Sequence, residues 1–551
     1  MSQEVFLETK LLSSLVKVFP GKELNCREHT EGSMLGNEVY SFQLAYKWKG
    51  PLVKNVRVRI ESELSPFITV RKVGLIPSEM PCYADHDDNV LSTEPGLYPD
   101  ILLPVDGEGL VFLPYQWRSV WITIEPCNLA NPGSYPVEII FEIGCGEVLA
   151  KRTFHVRIIN ANLPKQTLIH TEWFHTDCLS TWYKAEVFGN RYWDLVDKYI
   201  KTAVRHGINM ILTPLFTPPL DTEIGGERPT VQLVDVQKDG SSFRFGYDNL
   251  KKWIDICLKN GVEYFEMSHL FTQWGARHAP KIMACEDGEY KKIFGWETNA
   301  LGKEYKCFLD QFLPSLVDFI SKNNLNAKTW FHVSDEPLLE DMEYYKRASM
   351  LVSGHLKDFP VIDALSGFEF YKSGLIRKPI PSLDHIDAFL ENNVQNLWTY
   401  YCCGQYKEVS NRFFNMPSAR NRILGMQLYK YGIEGFLHWG YNFWYSQKSR
   451  YPVDPFSVTD AGYAFPSGDA FLVYPGDNGP LESLRMEVFF EALQDMRALS
   501  LLEQFAGKAE VVKMLEEGLD SPITFKRYPK DADWLINKRE EINSKISEFC
   551  R

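Results

Sequence analysis

The feature that most constrains this chain is a change of hydrophobic period near residue 162. Before it, apolar residues tend to recur at every second position. Val56-Arg-Val-Arg-Ile60, Val120-Trp-Ile-Thr-Ile124, Val137-Glu-Ile-Ile-Phe-Glu-Ile143 and Phe154-His-Val-Arg-Ile-Ile159 each alternate at least in part, as strands with one buried face do. Pro and Gly break the runs, as in Asn131-Pro-Gly-Ser-Tyr135. Several short strands separated by turn residues predict an antiparallel β-sandwich over residues 1–162. Asn162-Leu-Pro-Lys-Gln166 then reads as the linker out of it.

Beyond Thr167 apolar strand-length runs alternate with helix-length amphipathic stretches. The strand candidates are Leu168–Trp173, Asn209–Thr213, Tyr264–His269, Thr329–Val333, Val361–Leu365, His385–Phe389, Leu397–Tyr401 and Gly435–Trp439. Between the first two, Leu195, Val196, Tyr199, Ile200 and Ala203 form a helical stripe that Gly207 closes. Tyr247–Asn260 and Phe308–Asn323 read the same way. Eight strands with helices between them predict a (β/α)8 TIM barrel over residues 167–480. A doubly wound sheet is the alternative, but no glycine-rich phosphate loop follows the first strand. Residues 481–551 are expected to be a helical extension packed on the barrel. There Leu484, Val488, Phe489, Ala492, Met496, Leu499 and Leu502 make an apolar stripe, with Arg485, Glu487, Glu491 and Asp495 at other positions. The fold class is thus multidomain, α and β, as 551 residues demand.

Composition narrows the function. A net charge of −13 argues against nucleic acid or an anionic membrane as partner. No run approaches the roughly 18 apolar residues of a membrane span. Glu4, Glu8, Lys10 and Lys17 interrupt the amino terminus, so no signal peptide is read and a cytoplasmic location is expected. The 11 cysteines show no CxxC spacing, so neither a disulfide framework nor a metal site is expected. Cys402 and Cys403 alone lie close together; in a strand they would face opposite ways and serve packing. Asp85-His-Asp-Asp88 lacks the glycine and distal Glu of a calcium loop and reads as a solvated loop. No cofactor is expected, and the oligomeric state is open.

In a barrel of this kind the chemistry sits at the carboxyl ends of the strands. Reading just past each strand collects Glu172, Trp173 and His175, then His269, then Asp335 and Glu336. Ser366, Glu391, Asn392, Tyr400, Tyr401, His438, Trp439, Tyr441 and Asn442 complete the set. Aromatic faces beside amides and phenols suit an oligosaccharide or glycoconjugate. Of these, Trp173, Glu172, His269, Tyr400, Tyr401, His438, Trp439 and Asn442 are the candidate substrate-binding residues, and Asp335 and Glu336 the catalytic pair. Adjacent carboxylates rarely reach opposite faces of one sugar ring, as the usual glycosidase mechanisms require. They suit the substrate-assisted exception, in which a 2-acetamido oxygen attacks the anomeric carbon. Glu336 would then serve as acid and base, while Asp335 holds the acetamide N–H. Capping of a helix over Leu338–Met350 by Ser334 or Asp335 is the competing structural role.

Four stretches carry a resemblance. Phe331-His-Val-Ser-Asp-Glu-Pro337, Trp398-Thr-Tyr-Tyr-Cys-Cys-Gly404, Gly435-Phe-Leu-His-Trp-Gly-Tyr-Asn442 and Ser467–Gly476 with Ser483-Leu-Arg485 resemble glycoside hydrolase family 123. Tyr98–Pro104 in the sandwich also fits, more loosely. The resemblance implies a retaining exo-β-N-acetylgalactosaminidase with an oxazoline-type intermediate and no metal. It places the stabilising aspartate at Asp335 and the acid/base glutamate at Glu336. It also implies a tyrosine on the acetamide, either Tyr400 or Tyr401. Relatives are commonly secreted, and this amino terminus departs from that pattern. Two other readings stay open: a glycosidase of other specificity pairing Glu336 with a distant carboxylate such as Glu172 or Glu391, and a non-catalytic sugar-binding protein on a degenerate barrel.

Overall fold

The structure, a computed structural model, describes residues 6–105, 107–144 and 146–550. Met1–Val5, Asp106, Cys145 and Arg551 lie outside the described residues, and with them the first part of the amino-terminal stretch weighed as a signal peptide. The amino-terminal third folds as two five-stranded sheets. One runs Phe6–Ser13, Tyr40–Lys49, Trp117–Ile124, Ile68–Ser78, Gly96–Pro104 and is antiparallel throughout. The other runs Glu31–Leu35, Glu147–Ile159, Gly133–Ile143, Val53–Glu61, Leu110–Phe112, with only the Glu31–Leu35 pairing parallel. Alternate residues meet between the sheets: Phe42 stacks on Phe154 with centroids 4.0 Å apart, and Tyr46 lies against Phe112 and Phe141. This is the period-two pattern converted into a core.

The region after the linker is built on a six-stranded parallel sheet ordered Thr329–Phe331, Tyr264–Met267, Met210–Thr213, Ile169–Glu172, Gly435–His438, Trp398–Tyr400. Its strands are buried on both faces, hence their unbroken apolar runs. Two more parallel strands, Ile362–Ala364 and Lys378–Ile380, pair with each other. Single parallel bridges, Phe331–Val361 and Ser382–Tyr400, tie that pair to the two outer strands of the larger sheet. Helices Asn190–Arg205, Asp248–Asn260, Lys303–Lys322, Met342–Ser353 and Leu424–Tyr431 lie between strands in sequence.

Seven of the eight expected strands contain an observed one. The sixth does not: His385–Phe389 runs into the helical turn Asp387–Glu391, and the strand is Lys378–Ile380. Ile386 and Phe389 are fully buried, and their spacing of three is one face of a helical turn, which short alternation imitates. The true strand is hidden because Pro379 and Pro381 flank its only β-branched residue.

The long loops after the second and third strands join in a four-stranded sheet, Ser242–Gly246, Asp235–Asp239, Ile282–Glu286, Glu289–Phe294. The helix Leu484–Ala506 is capped by Ser483, whose side chain accepts from the Met486 N–H. Its polar positions are buried rather than solvated: Arg485 pairs with Asp100 at 2.7 Å, Glu487 with Arg71 at 2.6 Å and Asp495 with Arg422 at 2.7 Å. The sandwich and the parallel-sheet domain therefore grip this helix from both sides. The Asp85–Asp88 loop adds to the same contact, because Asp87 takes Arg420 through both oxygens at 2.8 and 2.9 Å. Among the described residues no helix is long and apolar enough to cross a membrane.

Candidate active site

The strand Thr329–Phe331 stops just before His332, and a set of hydrogen bonds shapes the segment from Val333 to Glu336. The N–H groups of Val333 and Ser334 both donate to Asp363 Oδ1, at 3.0 and 3.2 Å. Ser334 Oγ donates to the Thr272 carbonyl at 2.8 Å, the Trp274 N–H to the Asp335 carbonyl at 2.9 Å, and the Glu336 N–H to the Ala364 carbonyl at 3.0 Å. So held, Glu336 takes a φ of 43°, left-handed backbone that costs a non-glycine residue roughly 1–2 kcal/mol. Such strain persists only where the surroundings over-determine it. The helix begins at Met342, after a 3-10 turn at Leu339–Asp341, and neither Ser334 nor Asp335 caps it.

Asp335 and Glu336 instead line a cavity of about 180 Å³ at the carboxyl end of the parallel strands. Trp173, Tyr400 and Trp439 line it with them, as do Leu220, Asp221, Gln273, Trp274, Ala364, Cys402, Cys403, Leu437, Gln447 and Phe465. A larger cleft of about 720 Å³ lies between the sandwich and the terminal helix. It contains none of the strand-end residues, so the smaller cavity is the candidate site.

Electrostatics favour a retained proton. Burial raises the pKa of Asp335 well above its usual value, the neighbouring Glu336 charge adds to this, and His332 pulls it back. Burial also raises Glu336, opposed by the Tyr400 hydroxyl, which donates to Glu336 Oε1 at 2.6 Å. Beneath the pair, His332 Nε2 lies 2.5 Å from Glu266 Oε1 and Nδ1 3.2 Å from Asp363 Oδ1. Burial disfavours its charge, but these two carboxylates hold its pKa at about 9, so it is an imidazolium at neutral pH. Glu266 also accepts from Trp173 Nε1 at 2.7 Å, which fixes that indole at the cavity wall.

Five expected substrate-binding residues do not reach the cavity. Glu172 is fully buried and takes Arg412 through both oxygens at 2.7 Å. Arg412 holds its carboxyl well below the usual range despite burial. Tyr401 packs edge-on against Phe436 and His438. His438 accepts from the Gly440 N–H and lies 3.5 Å from both Glu172 and Asp469. Asn442 bonds the His175 backbone twice, and His269 stacks on His332 with ring centroids 4.3 Å apart. Successive strand residues face opposite ways, so a rim read as a run cannot all point one way. Outside that set, Glu391 is exposed on its helical turn, and the hydroxyls of Ser366 and Ser382 lie 2.9 Å apart.

Sequence reasoning missed Asp221, Gln273, Trp274, Gln447 and Phe465. All lie outside the strands and α-helices, Gln447 in a 3-10 turn, and three sit in the two long loops after the second and third strands, whose length was the available signal. Asp221 is held by Gln273 Oε1, which accepts its N–H at 2.6 Å, and by the Lys448 N–H, which donates to Oδ2 at 3.0 Å. Burial outweighs the Lys448 bond and pushes its carboxyl up to about 6. Among the described residues, no group of three His, Cys, Asp or Glu side chains is disposed to hold a metal ion.

Known proteins bear on this arrangement. The family model described as "Glycoside hydrolase 123, catalytic domain" matches residues 173–502. A family 123 glycoside hydrolase from Clostridium perfringens, studied for glycolipid glycan hydrolysis, is similar in structure. The two share 16% identity and a TM-score of 0.77, with 99% of each chain covered. A β-glucuronidase from Parabacteroides merdae overlaps 90% of this chain and 52% of its own at 10% identity, with a TM-score of 0.30, too low to carry a structural argument. No curated protein sequence matches the chain.

Proposed function

The chain belongs to glycoside hydrolase family 123, and from that premise we propose that it removes terminal β-linked N-acetylgalactosamine by retaining, substrate-assisted hydrolysis. The observation that carries the reading is the placement of Asp335 and Glu336 side by side on one cavity wall, with Tyr400 on Glu336. In the proposed first step the acetamido oxygen of the substrate bonds to the anomeric carbon. The glycosidic bond breaks as the Glu336 carboxyl proton passes to the leaving oxygen. In this step the proton retained by the pair sits on Glu336, and Asp335, whose charged form His332 favours, accepts the acetamide N–H. In the second step Glu336 takes a proton from water, which opens the oxazoline-type intermediate with net retention. Trp439 and Trp173, which line the cavity, are proposed to pack against the sugar, and Tyr400 is the tyrosine proposed for the acetamide, since Tyr401 packs away from the cavity against Phe436 and His438. The proposal includes a closed (β/α)8 barrel, supported by the two bridges that link the strand pair to the larger sheet. It also includes the division into residues 1–162, 167–480 and 481–551, although the family match runs into the helix Leu484–Ala506.

The second reading, a glycosidase that pairs Glu336 with a carboxylate across the cavity, now rests on Asp221. Glu172 is committed to Arg412, and Glu391 is exposed. Hydrolysis of nitrophenyl β-N-acetylgalactosaminide, of its gluco epimer and of nitrophenyl β-galactoside separates the readings. Acetamide-dependent turnover, lost in Asp335→Asn and in Glu336→Gln, is expected. Equal turnover of the galactoside, abolished by Asp221→Asn but not by Asp335→Asn, would favour the second.

A further inference from the structure

The strand that carries Tyr400 ends at that residue. The chain then turns: the Gln405 N–H donates to the Cys402 carbonyl at 3.1 Å, and the Cys402 N–H donates to Gln405 Oε1 at 3.0 Å. Cys402 and Cys403 therefore lie in a turn, and the opposed orientation expected of a strand does not apply. Both line the catalytic cavity, both are free thiols, and both are partly exposed. Cys402 Sγ lies 3.3 Å from Gln405 Oε1, and Cys403 follows it directly in the turn.

We propose that Cys402 and Cys403 form a dithiol site in the cavity wall for trivalent, monosubstituted arsenicals, and that its occupation closes the cavity to sugar. Two free thiols on successive residues of one turn, both lining one cavity, are what a single soft, thiophilic centre requires. A metal ion is the poorer occupant, because no group of three potential ligands surrounds the pair among the described residues. The surroundings also keep the Cys402 thiol protonated. The adjacent Cys403 thiol, burial, and the charges of Glu336 and Asp469 all push the Cys402 thiol up, which disfavours reagents that need a thiolate. An arsenic(III) oxide needs none prepared in advance. Two S–H bonds and the arsenic–oxygen bond break, two arsenic–sulfur bonds form, and the oxygen leaves with both protons as water. No oxidant or reductant takes part, and the neutral product adds no charge beside Glu336.

The test treats the full chain with one equivalent of phenylarsine oxide and follows intact mass. One adduct, equal to the reagent less water, is expected. It should be removed by dithiothreitol and resist an excess of a monothiol, and peptide mapping should place it on the 402–403 segment. Cys402→Ser and Cys403→Ser, each checked for folding by circular dichroism, should lose the monothiol-resistant adduct. An adduct that maps elsewhere, survives in both variants or never forms overturns the site. The closure claim rests on the proposed function and is read separately, as loss of glycoside hydrolysis in step with adduct formation. Full hydrolysis by the adducted protein overturns closure. A chain that hydrolyses nothing before treatment fails the proposed function while leaving the mass result to decide the site.

Discussion

Tyr400→Phe separates the proton on the acidic pair from the rest of the cavity. The Tyr400 hydroxyl donates to Glu336 Oε1 at 2.6 Å and so stabilises the ionised carboxylate. A hydrogen bond to a charged group contributes about 1.5–3 kcal/mol, and 1.36 kcal/mol corresponds to one pKa unit. Removal should raise the Glu336 pKa by about 1 to 2 units on that conversion. The lower end is expected, because the cavity is open enough for water to replace part of the bond. The general acid works only while protonated, so its loss sets the alkaline limb of kcat/KM in the free enzyme. Tyr400→Phe should move that limb to higher pH by about one unit, while the plateau falls as a contact to the acetamide is lost. Tyr400 itself does not supply the limb, since burial and Glu336 push its phenol well above the usual range. The assay is the pH profile of kcat/KM on nitrophenyl β-N-acetylgalactosaminide, with folding checked by circular dichroism. A limb that stays put or moves to lower pH refutes the assignment of Glu336 as the proton donor stabilised by Tyr400.

Two further outcomes are expected from buried charge away from the cavity. Glu172→Gln strands Arg412 at a site where neither partner is exposed, which should cost about 3–5 kcal/mol; thermal unfolding at pH 7 should show a clear drop, and an unchanged midpoint with a raised KM would restore Glu172 to the substrate. Glu491 lies among Ser14, Arg422 and Asp495, and burial, against the pull of Arg422 and Ser14, pushes its pKa from 4.5 to about 7. The folded chain then binds more protons than the unfolded one between those values, so this group's contribution to stability falls as pH rises through that window. Glu491→Gln should therefore gain in melting temperature relative to the parent between pH 5 and 8, and a constant difference across that range contradicts the raised pKa.

Much of the architecture was legible from period alone, because a strand with one wet face and a strand buried on both faces impose different patterns on the chain. That distinction separated the sandwich from the parallel-sheet region and located seven strands within a few residues. It failed at Lys378–Ile380, where a strand of three residues that includes Pro379 and runs into Pro381 carries no periodic signal; at Leu484–Ala506 it found the helix but not the partners of its charged positions, which are Arg71, Asp100 and Arg422 from distant segments.

For the site, Phe331–Pro337 announced itself locally: a buried strand that stops at two carboxylates needs a wet cavity or a partner. Which of the neighbouring polar residues share that cavity was another matter. Tyr400 faces Glu336 while Tyr401 does not, Glu172 turns to Arg412, and Asp221, Gln273 and the two cysteines arrive from loops and turns. Residue order carries the chemistry of a short segment, since adjacent atoms are bonded. The direction of each side chain depends on packing and hydrogen bonds between segments tens to hundreds of residues apart, and only the folded chain holds that information.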